Sequence, residues 1–142
     1  MRRMAAFWNL SVGDRRLLIG AAATLAFCQL ALRFLKFERL QSWAGRVVAR
    51  SDPGATPIES SSWAVHAAAQ RMPWVTCLGR ALALQRMLAQ RGQASELRVG
   101  VAKAGQDFSA HAWLVVGDRV LIGDEELGRY TTLTSWKTQG EA

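Results

Sequence analysis

The chain has 142 residues, enough for one domain with a buried core and too few for two domains of ordinary size. Half of the residues are hydrophobic and a fifth are charged, a composition that excludes an intrinsically disordered chain. Residues 1–50 carry the whole net charge of +7, because they hold nine Lys or Arg against Asp14 and Glu38. This basic third predicts either a solvated helix face or a surface for an anionic partner such as lipid, nucleic acid or an acidic peptide.

Residues 1–50 are predicted to form a pair of packed helices. Ser11, three residues before Asp14, resembles a capping pair and predicts the first helix start. An apolar run from Leu17 to Leu32 follows and is shorter than the ~20 residues of a membrane span. No cleavable polar stretch comes after it, so neither a span nor an export signal is predicted. The helical spacing instead continues past a basic stripe, by which we mean Arg33, Lys36 and Arg39.

The next segment divides the chain into its predicted parts. Residues 51–62, "SDPGATPIESSS", interrupt the helical pattern with two prolines, a glycine and small polar residues, and are predicted to be a linker. A short helix follows from about Trp63 to Arg71. We therefore expect a basic helical segment over 1–50, a linker over 51–62 and a core over 63–142, together one compact domain.

The two cysteines have different surroundings. Without a secretory signal they indicate a reducing compartment, hence a cytoplasmic protein with no disulfide. Cys28 lies inside the apolar run and is predicted to be a small buried core residue. Cys77 follows Thr76, a suitable N-cap, and begins a helical run that stops at Gly92. A helix N-terminus favours the thiolate, so Cys77 is the candidate nucleophile.

Beyond Gly92 the pattern changes from helical to alternating, which predicts strands. "SELRVGVAK" is the first strand and "AGQDFSA" is predicted to be a loop. "HAWLVVGDRVLIGDEE" then predicts a hairpin with Gly117 and Asp118 as its two-residue loop. In that register Val116 faces Arg119, Trp113 faces Ile122 and His111 faces Asp124. A loop of Asp118 and Arg119 would bring Glu126 opposite His111 instead, and Glu125 would require an odd-length loop.

Cys77, His111 and Asp124 therefore make a nucleophile, a base and an orienting acid. Directly opposed side chains on one face of a sheet are close enough for a carboxylate to accept a hydrogen bond from an imidazole. His66 lies on an alanine-rich helix and receives no role. The two cysteines and two histidines fit no standard metal-ligand spacing, so neither a metal nor a cofactor is expected.

The order of "CLGRALALQRMLAQRG", "LRVGV" and "AHAWLVVGDRVLIGDEE" resembles the transglutaminase-like, papain-related thiol superfamily, in which Cys, His and Asp follow in that order. More closely, it is similar to the bacterial leader peptidases of lasso-peptide biosynthesis, over about residues 60–133. The resemblance implies an α+β fold in which the Cys-bearing helix packs on a small antiparallel sheet, after N-terminal helices. It implies Cys77 as nucleophile, His111 as general base and Asp124 as orienting acid in hydrolysis of one peptide bond, which releases the leader of a ribosomally made precursor.

The resemblance also implies partners. Some members of that family carry a fused leader-recognition domain, whereas residues 1–50 show no alternating strands that could form one. We therefore expect a separate leader-recognition protein and the precursor's leader as partners, together with a macrolactam-forming cyclase. Nucleic acid is not an expected partner, and membrane contact by the basic helices is the less favoured alternative. Two other functions stay open: a transglutaminase-type acyl transferase with the same triad, and a non-catalytic peptide-binding module that uses the basic helices.

Overall fold

A computed structural model describes residues 11–46, 58–104, 106–123 and 130–137. Within these ranges the chain forms four helices, α1 (Val12–Phe34), α2 (Phe37–Ala44), α3 (Ile58–Gln70) and α4 (Cys77–Ala89). Four strands follow: β1 (Glu96–Ala104), β2 (Asp107–Val116), β3 (Arg119–Ile122) and β4 (Thr131–Lys137). They form one antiparallel sheet in the order β3-β2-β1-β4. The predicted α+β class is confirmed.

The helix that carries Cys77 is the centre of the core. Along α4 almost every side chain after the first turn is buried, and the helix contacts α1, α2 and α3 as well as strands β1 and β2. Its apolar side chains pack against Ala112 and Leu114 of β2 and Leu97 of β1. A helix that buries most of its side chains is stable only when other elements enclose it, and here three helices and the sheet do so.

Local signals place several helix ends as predicted. Ser11 caps α1, and its side-chain oxygen accepts a hydrogen bond from the backbone N–H of Asp14 at 3.1 Å. α1 ends at Phe34, and α2 begins three residues later, so the expected pair of N-terminal helices is present. Such caps depend on residues three apart in the chain, which is why the sequence alone predicts them.

Two predicted boundaries are wrong. α3 begins at Ile58, so residues 58–62 belong to a helix and not to the linker, whose other residues, 51–57, lie outside the described ranges. Ser61 is fully buried and the Ser62 hydroxyl donates to the Leu121 carbonyl at 3.1 Å, so tertiary contacts hold this serine-rich turn in the helix. β2 likewise starts at Asp107 within the predicted loop, because residues 107–110 pair with the end of β1.

The hairpin has the predicted loop but a different register. Val116 pairs with Arg119, which confirms Gly117 and Asp118 as the turn. A bulge follows, so Leu114 rather than Trp113 faces Ile122, and Leu121 has no residue opposite it. The bulge lets the consecutive residues Leu121 and Ile122 both enter the core, where they are 8% and 4% exposed.

Candidate active site

Cys77 is the first residue of α4, and two groups hold the chain that leads to it. The Thr76 hydroxyl accepts a hydrogen bond from the Gly79 N–H at 3.2 Å, which confirms Thr76 as the N-cap. Gln29 of α1 reaches the same point: its side-chain oxygen accepts from the Thr76 N–H at 2.9 Å and from the Thr76 hydroxyl at 3.1 Å. The half-buried thiol is thus held in the first turn of α4, next to the N-cap.

Gln29 is a residue whose role the sequence did not reveal. It was visible there only as a polar interruption of the apolar run from Leu17 to Leu32. A Cβ on Gly79 would overlap the Gln29 amide oxygen and would lie 3.0 Å from a methyl carbon of Val75. A side chain larger than hydrogen at position 79 would therefore push Gln29 away from the N-cap. The signal that could have indicated this pairing is one amide on an otherwise apolar helix face.

His111 lies on β2 and makes a short hydrogen bond with the backbone carbonyl of Gly123, at 2.7 Å from Nε2. Because a carbonyl oxygen can only accept, Nε2 must carry the hydrogen. Nδ1 is then the nitrogen through which a neutral ring can take up a proton. Two rings flank the imidazole: the centroid of Tyr130 lies 5.0 Å away and that of Trp113 lies 6.0 Å away, the latter stacked. These contacts fix both the orientation and the tautomer of His111.

Cys77 and His111 line one cleft, of about 370 Å³. The structure therefore brings two of the three predicted site residues to the same cavity. The third, Asp124, lies outside the described residues, as do Glu125 and Glu126. The prediction that Asp124 faces His111 requires an unbroken ladder, and the bulge at Leu121 interrupts the ladder between β2 and β3. His111 Nε2 donates instead to the carbonyl of Gly123, the residue that directly precedes Asp124.

The same cleft contains polar residues to which the sequence assigned no role. His66 of α3 donates through Nε2 to the Leu121 carbonyl at 3.0 Å, since that carbonyl can only accept. This bond and the one from Ser62 satisfy the carbonyl that the bulge leaves outside the ladder. Arg80, one turn after Cys77, also lines the cleft, and its buried Nε has no hydrogen-bond partner among the described residues. The sequence could have indicated that Arg80 lies beside Cys77, because residues three apart on a helix are neighbours on its surface.

The second cysteine is chemically different. Cys28 is a free thiol, completely buried in α1, and burial raises its pKa to about 12, an effect that the nearby positive charge of Arg86 partly offsets. A thiol with that pKa holds its proton at any physiological pH and is a poor nucleophile. The arrangement of the core therefore leaves Cys77, at the cleft, as the cysteine that can react.

Comparison with known proteins identifies the superfamily of the chain. A family model described as the transglutaminase-like superfamily matches residues 21–135, which is more than half of the chain. The chain belongs to the transglutaminase-like superfamily. The matched range starts within α1 and ends within β4, so it contains Cys77, His111 and the cleft between them. Searches among curated proteins and among solved structures find no match.

Proposed function

We propose that the protein is a cysteine peptidase that removes the leader from a ribosomally synthesised lasso-peptide precursor, with Cys77, His111 and Asp124 as its triad. The observation that carries the proposal is the meeting of a helix-terminal thiol and an oriented imidazole at one cleft. Superfamily membership supports thiol-based acyl chemistry. The resemblance of the motifs around Cys77 and His111 to leader peptidases supports the choice of substrate.

In the proposed reaction His111 takes the Cys77 proton on Nδ1, and the thiolate attacks the scissile carbonyl carbon. The tetrahedral intermediate collapses as the imidazolium returns that proton to the departing amine, which leaves as the new N-terminus of the core peptide. A thioester to the leader remains on Cys77. His111 then removes a proton from water, the hydroxide adds to the thioester, and the leader acid leaves while the thiol is reprotonated.

The cleft supplies specific help to these steps. The Gly123 carbonyl accepts from Nε2–H and stabilises the imidazolium as it forms, and Asp124 follows it directly in the chain. The first backbone N–H groups of α4 are donors for the oxyanion, since the start of a helix leaves N–H groups unpaired. In the proposal a separate protein holds the leader, and a cyclase receives the released core peptide, all in the cytoplasm.

The decisive experiment supplies precursor, recognition protein and cyclase, and follows the products by mass spectrometry. The wild type should release the leader as a free acid. Cys77→Ala should release none while it keeps the wild-type circular dichroism spectrum, and the matched control Cys28→Ala should stay active. Full cleavage by Cys77→Ala would contradict the proposal. Transfer of the acyl group to an added amine in preference to water would indicate an acyl transferase, and binding without any turnover would indicate a peptide-binding module.

A further inference from the structure

One face of α1 is apolar and exposed along most of the helix. Between Arg16 and Arg33 the exposed residues are Ile19, Gly20, Ala23, Phe27 and Leu30, none of which has a polar side chain. Ile19, Phe27 and Leu30 are 58%, 50% and 53% exposed, and Phe34 at the end of the row is 83% exposed. We call Ile19, Ala23, Phe27, Leu30 and Phe34 the outer face of α1. Single exposed apolar residues are ordinary, whereas a continuous row indicates an interaction surface.

The opposite face of α1 is part of the core. Ala21, Leu25 and Cys28 are completely buried there, and Gln29 is bonded to the N-cap of α4. α1 is long and apolar enough to cross a membrane by length and composition, but lipid on all sides would require these contacts to break. The packing therefore favours a helix that presents one face to a partner while the other face stays on the protein.

The charges around the outer face are predominantly positive. Arg16 and Arg33 are exposed at its two ends, and the rest of the basic stripe, Lys36 and Arg39, is exposed just beyond it. Glu38 is the exposed acid among these residues. Long basic side chains can extend past apolar surface towards phosphate groups while their stems stay in an apolar layer. A row of bulky apolar residues bounded by Arg and Lys is typical of helices that lie in the interface of an anionic membrane.

From the exposed outer face and its basic ends we propose that α1 docks the protein on an anionic membrane surface, with its axis in the plane of the interface. Ile19 and Phe34 are fifteen residues apart, so the row is about 22 Å long, at 1.5 Å per residue. The side chains of that row enter the boundary between headgroups and acyl chains, and the basic stripe contacts lipid phosphates. The contact is independent of the catalytic proposal.

Vesicle flotation tests this directly. We use the full chain with vesicles of phosphatidylcholine, with or without phosphatidylglycerol, at low and high salt. The wild type should float with the anionic vesicles and remain in solution with the neutral ones, and high salt should release it. Changing Arg33, Lys36 and Arg39 together to Gln should weaken the partition constant roughly 100-fold, since each basic residue near an anionic surface contributes about fivefold.

A matched pair of variants tests the outer face itself. Leu30→Ser with Phe34→Ser should lower the partition constant about tenfold or more, because the serine side chains no longer bury apolar surface among the acyl chains. The control, Phe108→Ser with Leu133→Ser, replaces the same two residue types at positions 70% and 64% exposed on the sheet and should bind as the wild type does. Thermal melting checks that both variants fold, which their exposed positions favour.

Several outcomes would overturn the proposal. No flotation of the wild type, equal and salt-independent binding to neutral vesicles, or equal loss by both serine variants would each do so. A wild type that does not float but self-associates by light scattering, with the assembly lost only in the Leu30→Ser and Phe34→Ser variant, would assign the outer face to a second copy of the chain. Leader cleavage in solution is measured in parallel, so that a failure of docking is distinguishable from a failure of the catalytic proposal.

Discussion

Two glycines at the ends of β3 allow the role of the His111 hydrogen bond to be tested. Gly117 and Gly123 both have positive φ angles, of 58° and 83°. A Cβ on Gly117 would meet nothing within 4 Å, whereas a Cβ on Gly123 would lie 2.6 Å from the Ala112 carbonyl oxygen and 2.9 Å from the Trp113 Cβ. Gly123→Ala is thus the test variant. Gly117→Ala is its control, because it also forces an alanine into a positive φ angle but places the new Cβ in open space.

The expected magnitudes follow from those contacts. A non-glycine residue in the left-handed region costs about 1 kcal/mol, and this is the expected loss of unfolding free energy for Gly117→Ala. Overpacking against atoms that cannot move aside adds about 1–3 kcal/mol. Gly123→Ala should therefore lose about 2–4 kcal/mol. Relief of the overlap shifts the Gly123 carbonyl relative to Nε2, and a displacement of about 1 Å in a catalytic arrangement can lower turnover on the order of 100-fold.

Three measurements distinguish a loss of His111 positioning from a loss of protein stability. Chemical denaturation gives the two losses of free energy, and leader cleavage is measured at a temperature where both variants are folded. Nitrogen NMR of the imidazole reports the tautomer: Nε2–H should persist in Gly117→Ala and be lost or mixed with Nδ1–H in Gly123→Ala. If Gly123→Ala has the expected loss of stability but keeps the wild-type tautomer and turnover, the Gly123 carbonyl does not position His111. Equal stability of the two variants would refute the reasoning about the collision.

Three further predictions concern the other site residues. Asp124→Asn should lower the turnover of leader cleavage by orders of magnitude with precursor affinity unchanged, because the proposal makes Asp124 the acid that orients His111. Glu126→Gln should stay near the wild type, and the reverse ranking of the two kcat values would show that Asp124 is the wrong acid. In native protein at pH 8, iodoacetamide should modify Cys77 and leave Cys28 intact, because burial raises the Cys28 pKa to about 12; peptide mapping that finds Cys28 modified as fast as Cys77 would contradict its protected state. Gln29→Leu removes the acceptor of two Thr76 hydrogen bonds and should cost about 1 kcal/mol in thermal or chemical denaturation, and unchanged stability would show that water replaces the amide.

The sequence by itself determined the features that depend on neighbours along the chain. The caps at Ser11 and Thr76 and the turn at Gly117 and Asp118 were predictable, because each rests on side-chain or backbone preferences within four residues. The change from helical to alternating periodicity predicted the α+β class for the same reason. The order of Cys77 and His111 along the chain also pointed to the superfamily before any contact between elements was known.

Only the tertiary structure decided the features that depend on contacts between segments far apart in the sequence. The bulge at Leu121 exists because α3 offers the unpaired carbonyl two donors and the core accepts both Leu121 and Ile122, and no local pattern in β3 encodes that. Gln29 meets Thr76 across 47 residues of sequence. The periodicity of α1 likewise could not tell which apolar residues would be covered, since burial depends on where α3 and α4 pack, and those helices leave the side with Leu30 and Phe34 exposed.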